Sequence, residues 1–520
     1  MLSQINSATL QGLEAIPVKV EVDSFKPGMQ TRFTIVGLPD SAVKESQERI
    51  TAAIRLNGYQ LSGRSIVINL APADLRKEGT GLDLPMAIGI LSSYDTCEFN
   101  RALLNQSMFV GELGLDGTIL PVKGALPIAI KARSMGVQYL FVPKENAKEA
   151  AVVDRVEVYG VSSLRDITDF LDGHKSLSPT IVNTREEFSV QQGAYAFDFS
   201  DVKGQENVKR AFEVAASGGH NIILVGAPGC GKSMMAKRLP SILPPLSLHE
   251  SLETTQIHSI AGKIHKETSL IKQRPFRSPH HTISDVALVG GGNSFLPGEI
   301  CLAHNGVLFL DELPEFSRSV LETLRQPLED RVISVSRARY NFTMPCSFML
   351  VASMNPCPCG YHGDATHQCV CTPGQIQRYL NKISGPLLDR IDIHCEMQAV
   401  PFAELSKMQP GEPSANIRER VIAARQIQEE RFKPFKGVHC NAQMTEKMIH
   451  LFAEPDAASM DMLRMAMERL KLSARAYSRI LKVARTIADL DNSEKVQSQH
   501  IAEAIGYRNL DRGDWAERGI

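Results

Sequence analysis

The sequence lacks the features of a membrane protein or an exported one. No run approaches the ~18–20 uninterrupted apolar residues that a membrane-spanning helix needs. The N-terminal stretch MLSQINSATLQGLEAIPVKV has no basic segment followed by an apolar core, so it does not resemble a signal peptide. The expected compartment is the cytoplasm, where thiols stay reduced, and the ten cysteines therefore do not indicate a disulfide framework.

An excess of charge of one sign is also missing. The 57 Lys and Arg residues balance the 58 Asp and Glu residues to a net charge of −1. The whole chain therefore does not indicate a polyanion partner, and any contact with nucleic acid must come from a local patch. Short repeats and low-complexity tracts are absent, and the 43% of hydrophobic residues is typical of globular proteins.

The 520 residues are enough for about two to four domains of roughly 100–200 residues. A polar stretch without sustained periodicity, residues 176–199, is the predicted linker. Before it, residues 1–175 mix strand-like runs such as SIVINL and YLFVP with helix-like runs such as LPMAIGILSSY and ALPIAIKARSMG. After it, NIILVG, GVLFLDE and FMLVASMN are short apolar runs typical of buried parallel strands. We predict an α/β core over 200–400 and a helical domain over 401–520.

The segment GAPGCGKS has the spacing of a phosphate-binding loop and stands between a strand-like and a helix-like run. Its glycines let backbone N–H groups surround phosphates, Lys232 reaches the β- and γ-phosphates, and the hydroxyl of Ser233 ligates Mg²⁺. A glycine-rich turn is the alternative, and Cys230 fills a position that the motif leaves variable. The predicted ATP site comprises Gly226, Ala227, Pro228, Gly229, Cys230, Gly231, Lys232 and Ser233.

Polar residues follow the next two strand-like runs. Asp311 and Glu312 end GVLFLDE, where one carboxylate can hold Mg²⁺ and the other can polarise the attacking water. Asn355 ends FMLVASMN, where it could orient that water. Arg390 follows in GPLLDRIDIH, and its acidic neighbours leave a surface ion pair as the alternative. Together with Lys232, these residues form the predicted catalytic set.

A helix-like run near the C-terminus, KLSARAYSRILKVARTIADL, has two different faces. Arg475, Arg479 and Lys482 stand at positions i, i+4 and i+7 and form a basic stripe on one face. This stripe could be functional, and a solvated helix face is the alternative. The apolar residues of the other face step by three or four positions and form one stripe: Leu472, Ala476, Ile480, Val483, Ile487 and Leu490.

The motifs in this order resemble those of the AAA+ ATPases. PFRSPHHTISDVALVGGG, MNPCPCGYHGD and SGPLLDRIDIH are similar to one branch, the magnesium-chelatase-like competence ATPases of the ComM/YifB type. The resemblance implies an AAA+ P-loop core with a parallel sheet and a helical lid. It matches Asn355 to a polar sensor and Arg390 to an arginine finger acting in the neighbouring subunit's site. It also matches Arg475 to a second sensor, which adds Arg475 to the predicted catalytic set. A finger that acts in trans implies a ring, and homo-hexamers are usual for such motors.

Residues 111–150 resemble the second half of the proteolytic domain of Lon, an α+β domain of the ribosomal S5 domain 2 type. Lon-type proteolysis needs a serine nucleophile and a lysine base. The corresponding positions hold Gly81 and Leu126. The candidates nearby are off-register: Ser62, Ser65 and Lys131. The resemblance therefore implies a proteolytically inactive domain that serves as a DNA-contacting or assembly platform.

Four of the ten cysteines stand within residues 355–373, in the pattern C-x-C-x₉-C-x-C. Thiolates in such a group can hold Zn²⁺ tetrahedrally: Cys357, Cys359, Cys369 and Cys371. The polar insert between the two pairs cannot form a core of its own, which favours a metal. His362 or His367 could replace one thiolate, and a loop of reduced thiols is the alternative.

Residues 263–282 are locally basic, with five Lys or Arg residues against one acid, and three histidines. In the branch that the sequence resembles, a flexible insert at this place, here about 263–295, faces the pore of the ring. Basic side chains repeated around a ring suffice to bind a phosphate backbone. We predict DNA contacts from Lys272, Arg274 and Arg277, and a solvated hairpin is the alternative.

Three functions fit these motifs. The resemblance implies an ATP-driven branch-migration helicase, which acts on single-stranded and branched DNA during the homologous recombination of natural transformation. The alternatives are a chelatase-type motor subunit and an AAA+ protein remodeller or chaperone. DNA-stimulated, salt-sensitive ATP hydrolysis would indicate the first function. Dependence on a partner and a porphyrin would indicate the second, and stimulation by unfolded protein the third.

Overall fold

The computed structural model describes residues 2–25, 32–61, 63, 65–94, 97, 99–184, 188, 195–265, 268–292, 296–337, 340–364, 367–398, 409–470, 472–508 and 510. It contains two compact units. The first comprises Met1–Gln192, Ser247–Lys272 and Gly291–Pro297, and the second comprises Gly193–Leu246, Gln273–Gly290 and Gly298–Ile520. Within the described ranges, no helix combines the length and the apolar character that crossing a membrane requires.

The elements are numbered in chain order. The strands are β1 (Ser3–Gln11), β2 (Glu14–Phe25), β3 (Arg32–Val36), β4 (Ser65–Ala71), β5 (Ser107–Phe109), β6 (Glu112–Leu113), β7 (Ile119–Leu120), β8 (Tyr139–Pro143), β9 (Glu157–Val161), β10 (Ile222–Gly226), β11 (Phe276–Arg277), β12 (Gly290–Gly291), β13 (Leu296–Pro297), β14 (Val307–Leu310), β15 (Val332–Arg337), β16 (Tyr340–Pro345), β17 (Met349–Met354) and β18 (Ile393–Met397). The α-helices are α1 (Ser41–Leu56), α2 (Asp83–Ser92), α3 (Arg101–Asn105), α4 (Ala125–Ser134), α5 (Ala147–Ala150), α6 (Leu164–Leu171), α7 (Glu206–Gly218), α8 (Lys232–Arg238), α9 (Leu248–Ile260), α10 (Asp285–Val289), α11 (Glu299–Leu302), α12 (Arg318–Thr323), α13 (Arg325–Asp330), α14 (Pro373–Leu380), α15 (Gly385–Leu388), α16 (Ser414–Phe432), α17 (Glu446–Phe452), α18 (Ala457–Leu470), α19 (Ala474–Leu490) and α20 (Ser498–Gly506).

The first unit is built on a seven-stranded mixed sheet with the order β3-β4-β2-β1-β5-β8-β9. Strand β2 pairs antiparallel with β1 and β4, whereas β1–β5, β5–β8 and β8–β9 are parallel pairs. Side chains alternate along β2, so Val18, Val20 and Val22 are buried. The apolar helix α2 packs on β1 and β2 so closely that a Cβ on Gly89 would lie 2.7 Å from Cγ2 of Val22.

The first unit also contains helix α9, whose residues fall within the predicted core over 200–400. Helix α9 packs against α4, and the hydroxyl of Ser259 donates a hydrogen bond to the buried carboxylate of Glu149. Nε2 of Gln256 donates to the carbonyl oxygen of Leu13 at 2.7 Å. These contacts explain why the segment belongs to the first unit. The basic stretch 263–282 is therefore divided between the two units after Lys272.

The second unit is built on a five-stranded parallel sheet with the order β11-β14-β17-β10-β18. Strands β10, β14 and β17 are entirely buried, as their continuous apolar runs predict. Residues 399–408, where the predicted helical domain begins, lie outside the described residues. Helices α7, α16 and α19 share a core with the sheet. The apolar stripe of α19 is confirmed at four buried positions: Ala476, Ile480, Val483 and Ile487.

Candidate nucleotide site

The predicted ATP-site residues come together at one edge of the parallel sheet. The loop 226–233 follows β10, Asp311 follows β14, and Asn355 follows β17. Because β17 lies between β10 and β14, the carboxyl ends of the three strands are neighbours. This edge is where open α/β sheets bind their ligands.

Two side chains connect the three strand ends directly. Nζ of Lys232 donates to the carbonyl oxygens of Gly226 at 2.6 Å and Ala227 at 3.0 Å. It also donates to Oδ1 of Asn355 at 3.1 Å. The hydroxyl of Ser233 donates to Oδ2 of Asp311 at 2.7 Å. A hydroxyl and a carboxylate this close form the kind of oxygen donor set that suits Mg²⁺ in nucleotide sites.

The shape of the loop depends on its glycines. Gly229 and Gly231 have φ values of +82° and +97°, a region that glycine adopts without steric cost. Gly226 has no room for a side chain, since a Cβ there would lie 2.5 Å from the carbonyl oxygen of Met397. Burial raises the pKa of the Cys230 thiol. A protonated, buried thiol is a poor nucleophile, so Cys230 fills space in the loop.

Two side chains at this edge have no recognisable sequence signal. The hydroxyl of Ser353 donates a hydrogen bond to Asp311 and accepts one from the backbone N–H of Glu312 at 3.3 Å. Nδ1 of His281 lies 3.8 Å from Oε2 of the exposed Glu312 carboxylate. A serine inside an apolar strand and one histidine of a basic insert do not stand out. Their contacts with Asp311 and Glu312 depend on the tertiary structure, which brings these residues together.

The two predicted arginines share a different part of the second unit, a cavity of about 840 Å³. Arg390 forms an ion pair with Glu329, and its Nη1 donates to the carbonyl oxygen of Pro386 at 2.7 Å. Nη1 of Arg475 lies 3.0 Å from Oδ2 of Asp389, which directly precedes Arg390. The arginine finger and the second sensor named by the resemblance are therefore neighbours on one surface.

A buried carboxylate links this cavity to helix α19. Asp392 is 1% exposed and pairs with Nη1 of Arg479 at 2.9 Å and with Nδ1 of His220 at 3.4 Å. Burial tends to raise the pKa of Asp392, but the arginine and the histidine outweigh it and hold that pKa well below its usual range. Burial lowers the pKa of Lys482 to about 8. Arg479 and Lys482 are thus partly buried, and the basic face of α19 is not a freely solvated stripe.

The four clustered cysteines converge in the second unit. Their sulfur atoms all lie within 4.8 Å of one another, and all four are free thiols. His367 is turned aside, since its ring stacks on Tyr361 with centroids 4.7 Å apart and its Nδ1 lies 3.5 Å from Asp364. Among the residues described, the group that could hold a metal consists of cysteines without a histidine.

The predicted DNA contacts are used within the fold. The guanidinium of Arg274 donates to the carbonyl oxygens of Pro244 at 2.7 Å and Asn305 at 2.8 Å. Arg277 and Glu299 form a two-pronged ion pair with distances of 2.6 and 2.7 Å. These two arginines stabilise the second unit, and a role toward DNA remains a prediction for them and for Lys272.

The two positions that correspond to a Lon-type catalytic pair have apolar neighbours in the first unit. A Cβ on Gly81 would lie 3.4 Å from Cγ1 of Val110. Leu126 is fully buried at the start of α4, where its backbone N–H donates to Glu149 at 2.9 Å. Ser62 lies outside the described residues. The absence of proteolysis rests on the residue types at these positions, Gly81 and Leu126, and it stays a prediction.

Comparisons with known proteins agree with this architecture. Three family models cover most of the chain: "Magnesium chelatase, subunit ChlI" over 198–405, "Subunit ChlI of Mg-chelatase" over 20–146, and "Magnesium chelatase, subunit ChlI C-terminal" over 411–508. The chain is also 26% identical to Lon protease 2 of Bacillus subtilis over 130 residues, which are 25% of this chain and 23% of the relative. The fold is thus an AAA+ P-loop core joined to a Lon-like domain.

The relatives that match almost the whole length include proteins of Haemophilus influenzae and Escherichia coli. The chain is 42% identical to "Competence protein ComM" of Haemophilus influenzae, over 98% of both chains. It is 43% identical to "Uncharacterized protein YifB" of Escherichia coli, again over 98% of both chains. The chain belongs to the ComM/YifB-type family of magnesium-chelatase-like proteins.

Proposed function

We propose that the protein is an ATP-driven DNA motor, a branch-migration helicase that promotes homologous recombination of incoming DNA in natural transformation. The observation that carries this proposal is the assembly of Lys232, Asp311 and Asn355 at one sheet edge. The full-length similarity to a competence protein supports the biological setting. Its partners would be single-stranded and branched DNA and further copies of this chain.

The residues at the edge divide the work of ATP hydrolysis. Mg²⁺, when bound with ATP, supplies positive charge to the phosphates, and Ser233 and Asp311 are the residues that would hold it. Lys232 offsets the charge of the β- and γ-phosphates. Glu312 is exposed at the end of β14, where it can accept a proton from the attacking water, and Asn355 orients that water.

The arginines complete the site from a neighbouring subunit. Arg390 and Arg475 line a cavity beside each other, and both would contact the γ-phosphate bound by the next copy. Each site would then join two different surfaces of neighbouring copies, and such contacts form a ring when the rotation between copies closes. We propose a homo-hexamer.

A chelatase-type motor is the second candidate, because the matching family models describe a magnesium chelatase subunit. A protein remodeller or chaperone uses the same ATP site and is the third. The chelatase-type motor and the protein remodeller differ from the DNA motor in the molecule that stimulates ATP hydrolysis.

The deciding experiment is ATP-dependent strand exchange on a synthetic four-way DNA junction, with Lys232→Ala as the matched inactive control. We expect exchange by the natural protein and none by the variant. Hydrolysis without exchange, unchanged by any DNA, would contradict the motor proposal. Porphyrin with a partner subunit, or unfolded protein, should then stimulate the ATPase instead.

A further inference from the structure

We propose that Cys357, Cys359, Cys369 and Cys371 bind one structural Zn²⁺, and that this ion fixes the loop after Asn355 against the phosphate-binding loop. The inference goes beyond the proposed function, because it assigns a structural metal that takes no part in the chemistry of ATP hydrolysis or in contacts with DNA. It rests on the geometry of the sulfurs, on the packing around them and on their place in the chain.

The sulfur positions suit a single tetrahedral ion. With Zn–S bonds of about 2.3 Å, the sulfurs of a tetrahedral site lie about 3.8 Å apart. The Sγ atoms of Cys357 and Cys359 are 3.3 Å apart, and Cys369 Sγ lies 3.7 and 3.6 Å from them. A disulfide needs about 2.05 Å, so these contacts are not bonds between the sulfurs. The fourth sulfur, of Cys371, lies within 4.8 Å of the others.

The surroundings also favour a bound ion over a cluster of neutral thiols. Cys357 is fully buried, and the backbone N–H of Cys371 donates to Sγ of Cys369 at 3.4 Å. Such N–H donors stabilise metal-bound thiolates. None of the described residues between the two cysteine pairs belongs to the apolar core that surrounds the parallel sheet. Four sulfurs bound to one ion would hold the two ends of this segment together, as in small zinc-stapled loops.

The proposed ion lies close to the nucleotide site, both along the chain and in space. Asn355, which accepts a hydrogen bond from Lys232, is two residues before Cys357. Gly360 packs directly on the phosphate-binding loop, since a Cβ there would lie 2.7 Å from Cδ of Pro228. On the other side, the chain enters helix α14 at Pro373, two residues after Cys371. The ion would therefore hold one wall of the ATP site in place.

Metal content is the first test of the full-length protein. Mass spectrometry for metals should find about one zinc per chain, because four thiolates complete one tetrahedral site. The Cys369→Ser/Cys371→Ser variant should lose that zinc, and Cys97→Ser, which changes a cysteine of the first unit, should keep it. Natural protein without zinc would overturn the proposal, and so would iron with the visible absorption of an iron–sulfur centre.

A second measurement avoids variants that fail to fold. Natural protein treated with a zinc chelator and then with Co²⁺ should show the absorption bands of tetrahedral Co²⁺–thiolate bonds. The chelated protein should bind a fluorescent ATP analogue more weakly, and added Zn²⁺ should restore binding. Absence of the Co²⁺ bands would contradict the metal site. Unchanged nucleotide affinity in zinc-free protein would refute its link to Asn355. Neither measurement uses DNA, so a negative result in either one would not count against the proposed DNA motor.

Discussion

His281 lies beside Glu312, a contact that could not be predicted from the sequence. We expect His281 to position the Glu312 carboxylate. In the variant Glu312→Gln, ATP hydrolysis should fall by about a hundredfold or more, because the proton acceptor for water is lost. His281→Ala should lower kcat less and leave the binding of ATP unchanged, since Nδ1 lies 3.8 Å from Oε2. Steady-state hydrolysis with separate measurement of nucleotide affinity checks this.

The matched control for His281 is His280→Ala. The two rings are neighbours, with centroids 4.1 Å apart, but His280 hydrogen-bonds to Thr282. Equal losses from both variants would show a general effect of the loop. A loss confined to His281 would support the contact with Glu312.

Lys482 carries a charge that burial disfavours, with a pKa of about 8 against an ordinary value of 10.5. The unfolded chain holds this proton more strongly than the folded one, so stability rises with pH between about 8 and 10.5. Below that window Lys482→Met should raise the free energy of unfolding by about 1–2 kcal/mol, although the loss of attraction to Asp392 reduces the gain. Near pH 10 the gain should vanish. Denaturant titrations of the natural protein and of Lys482→Met, below pH 8 and near pH 10, measure this difference in the free energy of unfolding.

At the scale of elements, the contact between α9 and α4 depends on a buried carboxylate. Ser259 and the backbone N–H of Leu126 donate to Glu149, whose pKa burial raises. Ser259→Ala leaves this carboxylate with one donor fewer and should destabilise the first unit by about 1–3 kcal/mol. The exposed Ser134→Ala is the control. Equal unfolding midpoints for the two variants would contradict this role of Ser259.

The sequence predicted those features that depend on a single strand or helix, such as a buried strand recognised from its apolar run. The strands that end at Gly226 and shortly before Asp311 and Asn355 are short apolar runs in the sequence, and they are entirely buried in the sheet. The partners of Arg475 and Asp392 were not predictable, because they join positions about 86 residues apart or more. The assignment of α9 to the first unit depends on tertiary contacts alone.

At the scale of the whole molecule, an ATP site shared between subunits makes a prediction about mixtures. Lys232→Ala and Arg390→Ala should each be inactive alone. Mixed in equal amounts, they should regain hydrolysis at roughly one quarter of the interfaces, where an intact Lys232 meets an intact Arg390. No recovery from this mixture would indicate that Arg390 acts within its own subunit.

The position of Arg475 beside Asp389 makes a second mixture informative. If both arginines reach the same neighbouring site, Arg390→Ala and Arg475→Ala should not complement each other, because every neighbour lacks one of them. Recovery to roughly one quarter would instead place Arg475 in the site of its own subunit. The expected result is no recovery, with the mixture of Lys232→Ala and Arg475→Ala as the positive control.

The division of the chain into alternating segments has a practical meaning for protein engineering. Six segments alternate between the two units, so the polypeptide passes from one to the other five times. A single cut in the polar stretch 176–199 cannot release the Lon-like part, because Ser247–Lys272 would remain covalently attached to the other unit. A truncation that starts near residue 200 would strip α9 of its packing on α4 and expose an apolar surface. Loss of activity in such a truncated protein would report damage to a shared structure rather than the removal of an independent module.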